Sequence, residues 1–290
     1  MGEETMSDSP LRSRYVMVGG IRTHYVETGH NGAPIVLCHG GAPGFSGEVG
    51  FGKIMPALGA RFQVYALDSV GGYGYTDPYF PATEGAQSRV DHLDAFLNTL
   101  CLDKVYLAGN SQGAWVAARY ALRHPDRVRK LFLIASGTIA SAMGLDHRDT
   151  DGLRALRAYD GTHESIRTLL LTLLWDKSQI TDALVDRHLE SATRPGAVEG
   201  RRVFLKGMHR LTQDPNLRIH FQMIDTLPHM KTPAMFIWGE DDYFAPVVLG
   251  RQLEKVLPNI PSAYIPRAGH LVQNDQPELV SRMMIQFFSA

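Results

Sequence analysis

The hydrophobic rhythm of the chain changes early. Residues 15–18 and 21–27 alternate apolar and polar positions around Gly19-Gly20, which predicts a β-hairpin with one wetted face. Beyond the hairpin, apolar positions gather into short unbroken runs at 35–38, 62–67, 105–108, 131–135, 234–238 and 262–265. Such runs, bounded by Gly, Pro or Asp, predict strands covered on both faces, as in a parallel sheet. Between most of them the period becomes helical. Within 89–100, Val90, Leu93, Phe96, Leu97 and Leu100 share one face, and 112–123, 248–257 and 277–288 carry similar stripes. Strand–helix alternation led by an antiparallel hairpin predicts an α/β fold.

The alternation lapses between the run ending near Ser136 and the one beginning at Ala234. Helical patterns occupy 151–159, 163–175 and 181–193, with a less regular stretch over 200–227. A structureless loop of that length does not fit a compact domain. The expected organisation is therefore a core domain from 11–136 and 234–290, with 137–233 as a helical cap after the sixth strand. Its large apolar residues, Leu169, Leu170, Leu171, Leu173, Leu174 and Trp175, build a small core of their own or cover a pocket at the sheet edge.

Composition narrows the function classes. The chain has 290 residues, 44% of them hydrophobic, so a large core is within reach. Its net charge of −1 provides no basic field for nucleic acid or an anionic membrane. No apolar stretch is long enough to span a bilayer, and the start, MGEETMSDSP, is polar and acidic, read as a frayed tail and not a secretory signal. Only Cys38 and Cys101 occur, both in apolar runs, which argues against a disulfide framework and for a reducing, cytoplasmic setting.

The chemistry concentrates where runs end. The run 105–108 passes into Gly109-Asn110-Ser111-Gln112-Gly113 and then into a helical pattern. G-x-S-x-G between a strand and a helix is a nucleophile elbow: its glycines clear a turn too tight for Cβ atoms, and the turn lifts Ser111 above the sheet. A serine hydroxyl needs a base. Among twelve histidines, His270 alone follows the last strand-like run, whereas His24, His30, His92 and His124 fall on the hairpin, its exit or helix surfaces. The run 234–238 leads into Gly239-Glu240-Asp241-Asp242, where Asp242 is the expected acid and Asp241 the alternative. The exit of 35–38 reads His39-Gly40-Gly41-Ala42-Pro43-Gly44, so the N–H groups of Gly41 and Gln112 are the expected oxyanion donors. A competing phosphate-loop string, Gly47 to Ile54, fails because Ile54 stands where Ser or Thr should hold a metal. No metal-ligand spacing occurs, so no metal or cofactor is expected.

With HGGAPG at 39–44, LDSVGGYGYTDP at 67–78, GNSQG at 109–113, WGEDD at 238–242 and AGH at 268–270, the chain resembles the α/β-hydrolase superfamily over nearly its full length. Within it the chain is most similar to the meta-cleavage-product hydrolases, which cleave carbon–carbon bonds in vinylogous diketones. The segment LLWDKSQITDALVDRHLESATRPG at 173–196 adds to that likeness. The resemblance implies a triad of Ser111, Asp242 and His270, with Gly40, Ala42, Asn110, Trp175, His188 and Leu271 against the substrate. It also implies a homodimer by analogy. His188 falls where that family carries a substrate-gripping arginine, with Arg187 and Arg194 nearby, and Leu271 falls where it carries an aromatic residue. The expected activity is C–C bond hydrolysis of a diketone-like small molecule with an apolar tail. Ester or lactone hydrolysis by the same triad is the alternative, and a non-catalytic receptor is the remote one.

Overall fold

The computed structural model describes residues 10–78, 84–145 and 149–290. Residues 1–9 of the expected ten-residue tail, and His147, lie outside the described residues. Eight strands form one sheet: β1 (Arg12–Val18), β2 (Ile21–Thr28), β3 (Pro34–Cys38), β4 (Gln63–Leu67), β5 (Val105–Asn110), β6 (Val128–Ile134), β7 (Ala234–Gly239) and β8 (Ser262–Ile265). Their spatial order is β1-β2-β4-β3-β5-β6-β7-β8. The β1–β2 and β2–β4 pairings are antiparallel and the rest are parallel. The hairpin turns at Gly19 and Gly20, both with positive φ, as a two-residue primed turn demands.

Burial follows position in the sheet. Ile35, Val36, Leu37, Leu107, Ala108 and Leu131 are wholly buried in central strands. At one edge, β1 leaves Tyr15 and Met17 exposed. At the other edge β8 buries only Ile265 fully, so its apolar run is not covered on both faces. One helix packs on β5 and a second packs against that helix and β1. In α1 (Ala86–Thr99) the stripe Val90, Leu93, Phe96 and Leu97 faces the core, and Arg89 is buried with it. The helix α2 (Gln112–Arg123) begins immediately after Ser111.

Between β6 and β7 the described residues form helices and no strand: α3 (Gly137–Ala142), α4 (Asp151–Arg157), α5 (His163–Leu173), α6 (Asp182–Thr193), α7 (Ala197–Gln213) and α8 (Pro215–Phe221). Their starts are written in the sequence. Thr150, Thr162, Thr181 and Asp214 each accept a backbone N–H as side-chain caps. The stretch expected to be irregular is instead one 17-residue helix, then a break at Asp214-Pro215 and a restart. Gly200 and Gly207 blur its apolar stripe, yet both are buried against neighbours; a Cβ on Gly200 would meet Pro78 O at 2.7 Å.

On α5, Ile166, Leu169, Leu170 and Leu173 are spaced for one face and are buried. They pack with Ala42, Phe45 and Leu271, so this small core is shared with the sheet-edge loops. Leu171 and Trp175 point away and remain exposed. Two longer helices, α9 (Val247–Val256) and α10 (Pro277–Ser289), follow β7 and β8, with a single helical turn at Val272–Asp275 between β8 and α10. None of the described helices is long and apolar enough to cross a membrane.

Candidate active site

Ser111 stands between β5 and α2 at φ 57°, ψ −121°, a left-handed conformation costly for a residue with a Cβ. Neighbours fasten it there. Its N–H donates to Ile134 O at 2.8 Å and its carbonyl accepts from Ser136 Oγ at 2.7 Å. The flanking glycines are steric necessities: a Cβ on Gly109 would lie 2.3 Å from Gly113 O, and one on Gly113 only 1.9 Å from Cys38 O.

The candidate acid and base follow the last two strands, Asp242 after β7 and His270 after β8. Gly239 lets the end of β7 approach the histidine loop, since a Cβ there would sit 2.2 Å from Gly269 O. The Asp242 carboxylate is buried and pinned from both sides. Its Oδ1 accepts the N–H groups of Phe244 and Ala245 at 2.8 and 2.7 Å, and its Oδ2 lies 2.8 Å from His270 Nδ1. An acceptor at Nδ1 places the proton there, leaving Nε2 as the basic nitrogen. That atom is buried and has no hydrogen-bond partner. No hydrogen bond joins Ser111 Oγ to His270 Nε2 in this structure; such catalytic contacts commonly tighten only with substrate bound. Asp241 uses its backbone instead, donating to Ala268 O at 3.0 Å.

The histidine loop is held by groups that sequence reasoning missed. Asp275 Oδ2 accepts from Gly269 N at 2.8 Å and from Trp175 N at 2.9 Å, joining this loop to the end of α5. Burial pushes the Asp275 carboxyl up, against the pull of those N–H donors. Phe244 lies against the His270 ring, with centroids 4.7 Å apart. Asn110 donates from Nδ2 to His270 O at 3.0 Å, tying the elbow to the same loop.

Arg89 was also missed, because charge on an apolar helix stripe reads as a lapse in the pattern. It is fully buried, and among the described residues no carboxylate pairs with it. Its guanidinium donates to Gln112 Oε1 and His39 O, both at 2.6 Å, and to Ser69 Oγ at 3.1 Å. His39 is pushed down to about 3, first by burial and then by Arg89, so its ring is neutral. The ring nitrogen Nδ1 lies 2.7 Å from Gly40 O, and Nε2 accepts from Ser69 N at 3.0 Å.

Ser111, Gln112, Asn110, Gly40, Gly41, Ala42 and His270 line one cavity of about 560 Å³. Leu153, Leu156, Leu173, Met208 and Phe221, from between β6 and β7, form its opposite wall. Arg157 and Arg218 reach it as well, and no described lining residue is acidic.

Three expected contact residues stand elsewhere. Trp175 is 40% exposed and outside the cavity, because α5 ends at Leu173 and the chain turns outward. His188 occupies the buried face of α6, edge-on to Phe45, with Nδ1 3.4 Å from Pro43 O. Burial pushes it down to about 4. Leu271 packs into the core shared with α5. His188 and Leu271 therefore border a separate, smaller cavity. Arg187 pairs with Glu48, and Arg194 donates to Gly74 O and Thr76 O, so neither reaches the main cavity. His24 and His92 are buried and hydrogen-bonded, not solvated, because β2 lies inside the sheet and α1 covers it. The phosphate-loop string is a short helix whose Lys53 donates to Gln179 and to Asn274 O.

Residues 33–277 match the α/β hydrolase fold family. The chain is 31% identical to a 2-hydroxy-6-oxononadienedioate/2-hydroxy-6-oxononatrienedioate hydrolase of Burkholderia vietnamiensis, over 99% of each chain. It is also 31% identical to a 2-hydroxy-6-oxo-2,4-heptadienoate hydrolase of Pseudomonas putida, over 96% of each. Among solved structures, a meta-cleavage product hydrolase from Pseudomonas fluorescens superposes with a TM-score of 0.80 at 26% identity, covering 95% of this chain and 97% of that one. The chain belongs to the α/β-hydrolase family and, within it, to the meta-cleavage-product hydrolases that act on carbon–carbon bonds.

Proposed function

We propose that this protein hydrolyses the carbon–carbon bond beside the 6-oxo group of a 2-hydroxy-6-oxo-dienoate, with Ser111 as nucleophile, His270 as base and Asp242 as its orienting acid. The observation that carries this reading is the strained Ser111 elbow opening into the same cavity as an imidazole already oriented by a buried carboxylate. His270 Nε2 takes the hydroxyl proton as Ser111 Oγ bonds to the carbonyl carbon, and the N–H groups of Gly41 and Gln112 receive the oxyanion. When the oxyanion collapses, the electron pair of the breaking C–C bond passes to the departing carbon. The proton held by His270 moves to that carbon. Water, deprotonated by His270, then releases the acyl group as a carboxylic acid and restores Ser111.

The helices of 137–233 act as a lid that excludes bulk water from this carbanion-like step. The substrate of such a reaction is a carboxylate in cytoplasmic solution, and the charge of the cavity suits it. Arg157 and Arg218 are its only described lining cations besides what His270 becomes; Arg157 also lies 4.0 Å from Asp149 Oδ1, which leaves Arg218 the stronger candidate. They supply positive charge that His188, buried elsewhere, does not. The test is loss of the dienoate chromophore and mass identification of both products, wild type against Ser111→Ala. Dienoates left intact by a protein that rapidly cleaves aryl esters would overturn the C–C assignment in favour of ester hydrolysis.

A further inference from the structure

We infer that Arg89 is the positioning residue of the oxyanion hole, holding both of its halves from beneath. This rests on the assignment of Gly41 and Gln112 as donors. One half is the turn leaving β3. Arg89 Nη2 donates to His39 O at 2.6 Å, and its guanidinium carbon lies 5.2 Å from the centre of the Tyr73 ring. Tyr73 in turn donates its hydroxyl to Gly41 O at 2.9 Å. The carbonyls on either side of the Gly40–Gly41 step are thus both restrained. The other half is the elbow. Arg89 Nη1 donates to Gln112 Oε1 at 2.6 Å, fixing the side chain of the residue whose N–H follows the nucleophile. A Cβ on Gly41 would lie 2.9 Å from that same Oε1, so the two halves touch through it.

A guanidinium is suited to this task because its donors diverge in a rigid plane and reach two loops at once. Burying a cation without an acid is costly, and burial does lower the Arg89 pKa. A structural tie between loops could be made by a neutral side chain. A cation also adds positive potential behind the point where negative charge develops, which a neutral tie would not.

The experiment compares Arg89→Gln and Arg89→Lys with wild type on p-nitrophenyl acetate as well as a dienoate. Inhibition by an aryl boronic acid is measured in parallel, because its Ser111 adduct places an oxygen in the hole. Arg89→Gln should lower kcat about 10- to 100-fold with KM changed less than about threefold, and weaken boronate inhibition by a similar factor. Arg89→Lys, keeping charge but not the fork, should fall between. A folded Arg89→Gln enzyme with wild-type kcat and boronate affinity overturns the inference. So does equal weakening of substrate and boronate, the mark of general loosening. If Arg89→Gln does not fold, Gln112→Ala and Tyr73→Phe each cut one tie and should reproduce part of the kcat loss; unchanged kcat in both overturns it. Esterolysis and boronate binding at Ser111 read the hole directly, so failure of the C–C assignment leaves this test intact.

Discussion

Two Ser–His–Asp constellations occur among the described residues, and the more complete one by hydrogen-bond distance is not at the cavity. Ser13 Oγ lies 2.8 Å from His24 Nε2, and His24 Nδ1 lies 2.7 Å from Asp68 Oδ2. At the candidate site only the His270–Asp242 link is made. What differs is the surroundings. Ser13 sits within the ladder of an edge strand, paired with Val26, with no tight turn before a helix. Neither Ser13 nor His24 lines the main cavity. Asp68 is engaged structurally, accepting from Gly47 N at 2.6 Å and Tyr75 N at 2.8 Å, so this relay fastens the loop after β4 to the sheet. Ser111 has the strained elbow, adjacent backbone donors and a cavity wall from another part of the chain. A relay of three side chains is therefore a common structural solution; catalysis needs oxyanion donors and a place for substrate beside it.

Substitution is the most direct way to break this contrast. Ser111→Ala should reduce kcat/KM for any ester or dienoate by about 10⁴- to 10⁶-fold, while Ser13→Ala stays within about twofold. A fluorophosphonate should likewise label Ser111 alone, located by peptide mass; labelling at Ser13 would dissolve the distinction. Asp242→Asn should lower kcat by about 10³- to 10⁴-fold with the melting temperature little changed, because it removes the acceptor that orients the base. The matching Asp68→Asn change should act in the opposite column. It should cost about 3 kcal/mol of stability, as expected for breaking a buried pair, with kcat per folded molecule nearly intact.

Smaller effects sharpen the picture. Arg218→Ala should raise KM for a dienoate about fivefold and leave KM for a neutral ester unchanged, since an exposed cation acts mainly through charge. Stability against pH reads the buried histidines that lack an acid partner. His39 and His92 are pushed down to about 3 and His188 to about 4, mainly by burial. The unfolded chain binds protons there that the folded one refuses, so stability is full above about pH 6.5 and falls as pH drops towards 4. Denaturant midpoints measured from pH 7 to 5 should decline, and His92→Gln should make the decline shallower.

Much of this was legible before any coordinates. Ser111, His270 and Asp242 each follow a strand-like run, and parallel strands must end at one edge, so their shared rim was implied by pattern alone. The contact residues were not legible in the same way. Trp175 and His188 were assigned by resemblance to the family's cap, but which face of a helix meets the cavity depends on its rotation against neighbours. Arg89 was hidden for the converse reason: a lone charge in an apolar stripe looks like an imperfection until its acceptors, all distant in sequence, arrive around it.

By itself, the sequence determined the strands, the caps of the helices, the elbow glycines and the order of the proposed nucleophile, acid and base. These are local matters of period, capping chemistry and the space a Cβ requires. Only the tertiary structure decided which of two Ser–His–Asp sets meets a cavity, which arginines line it and which one is buried beneath the proposed oxyanion donors. Those outcomes depend on how surfaces far apart in the chain pack together, and packing reads shape and charge in three dimensions that a linear pattern does not record.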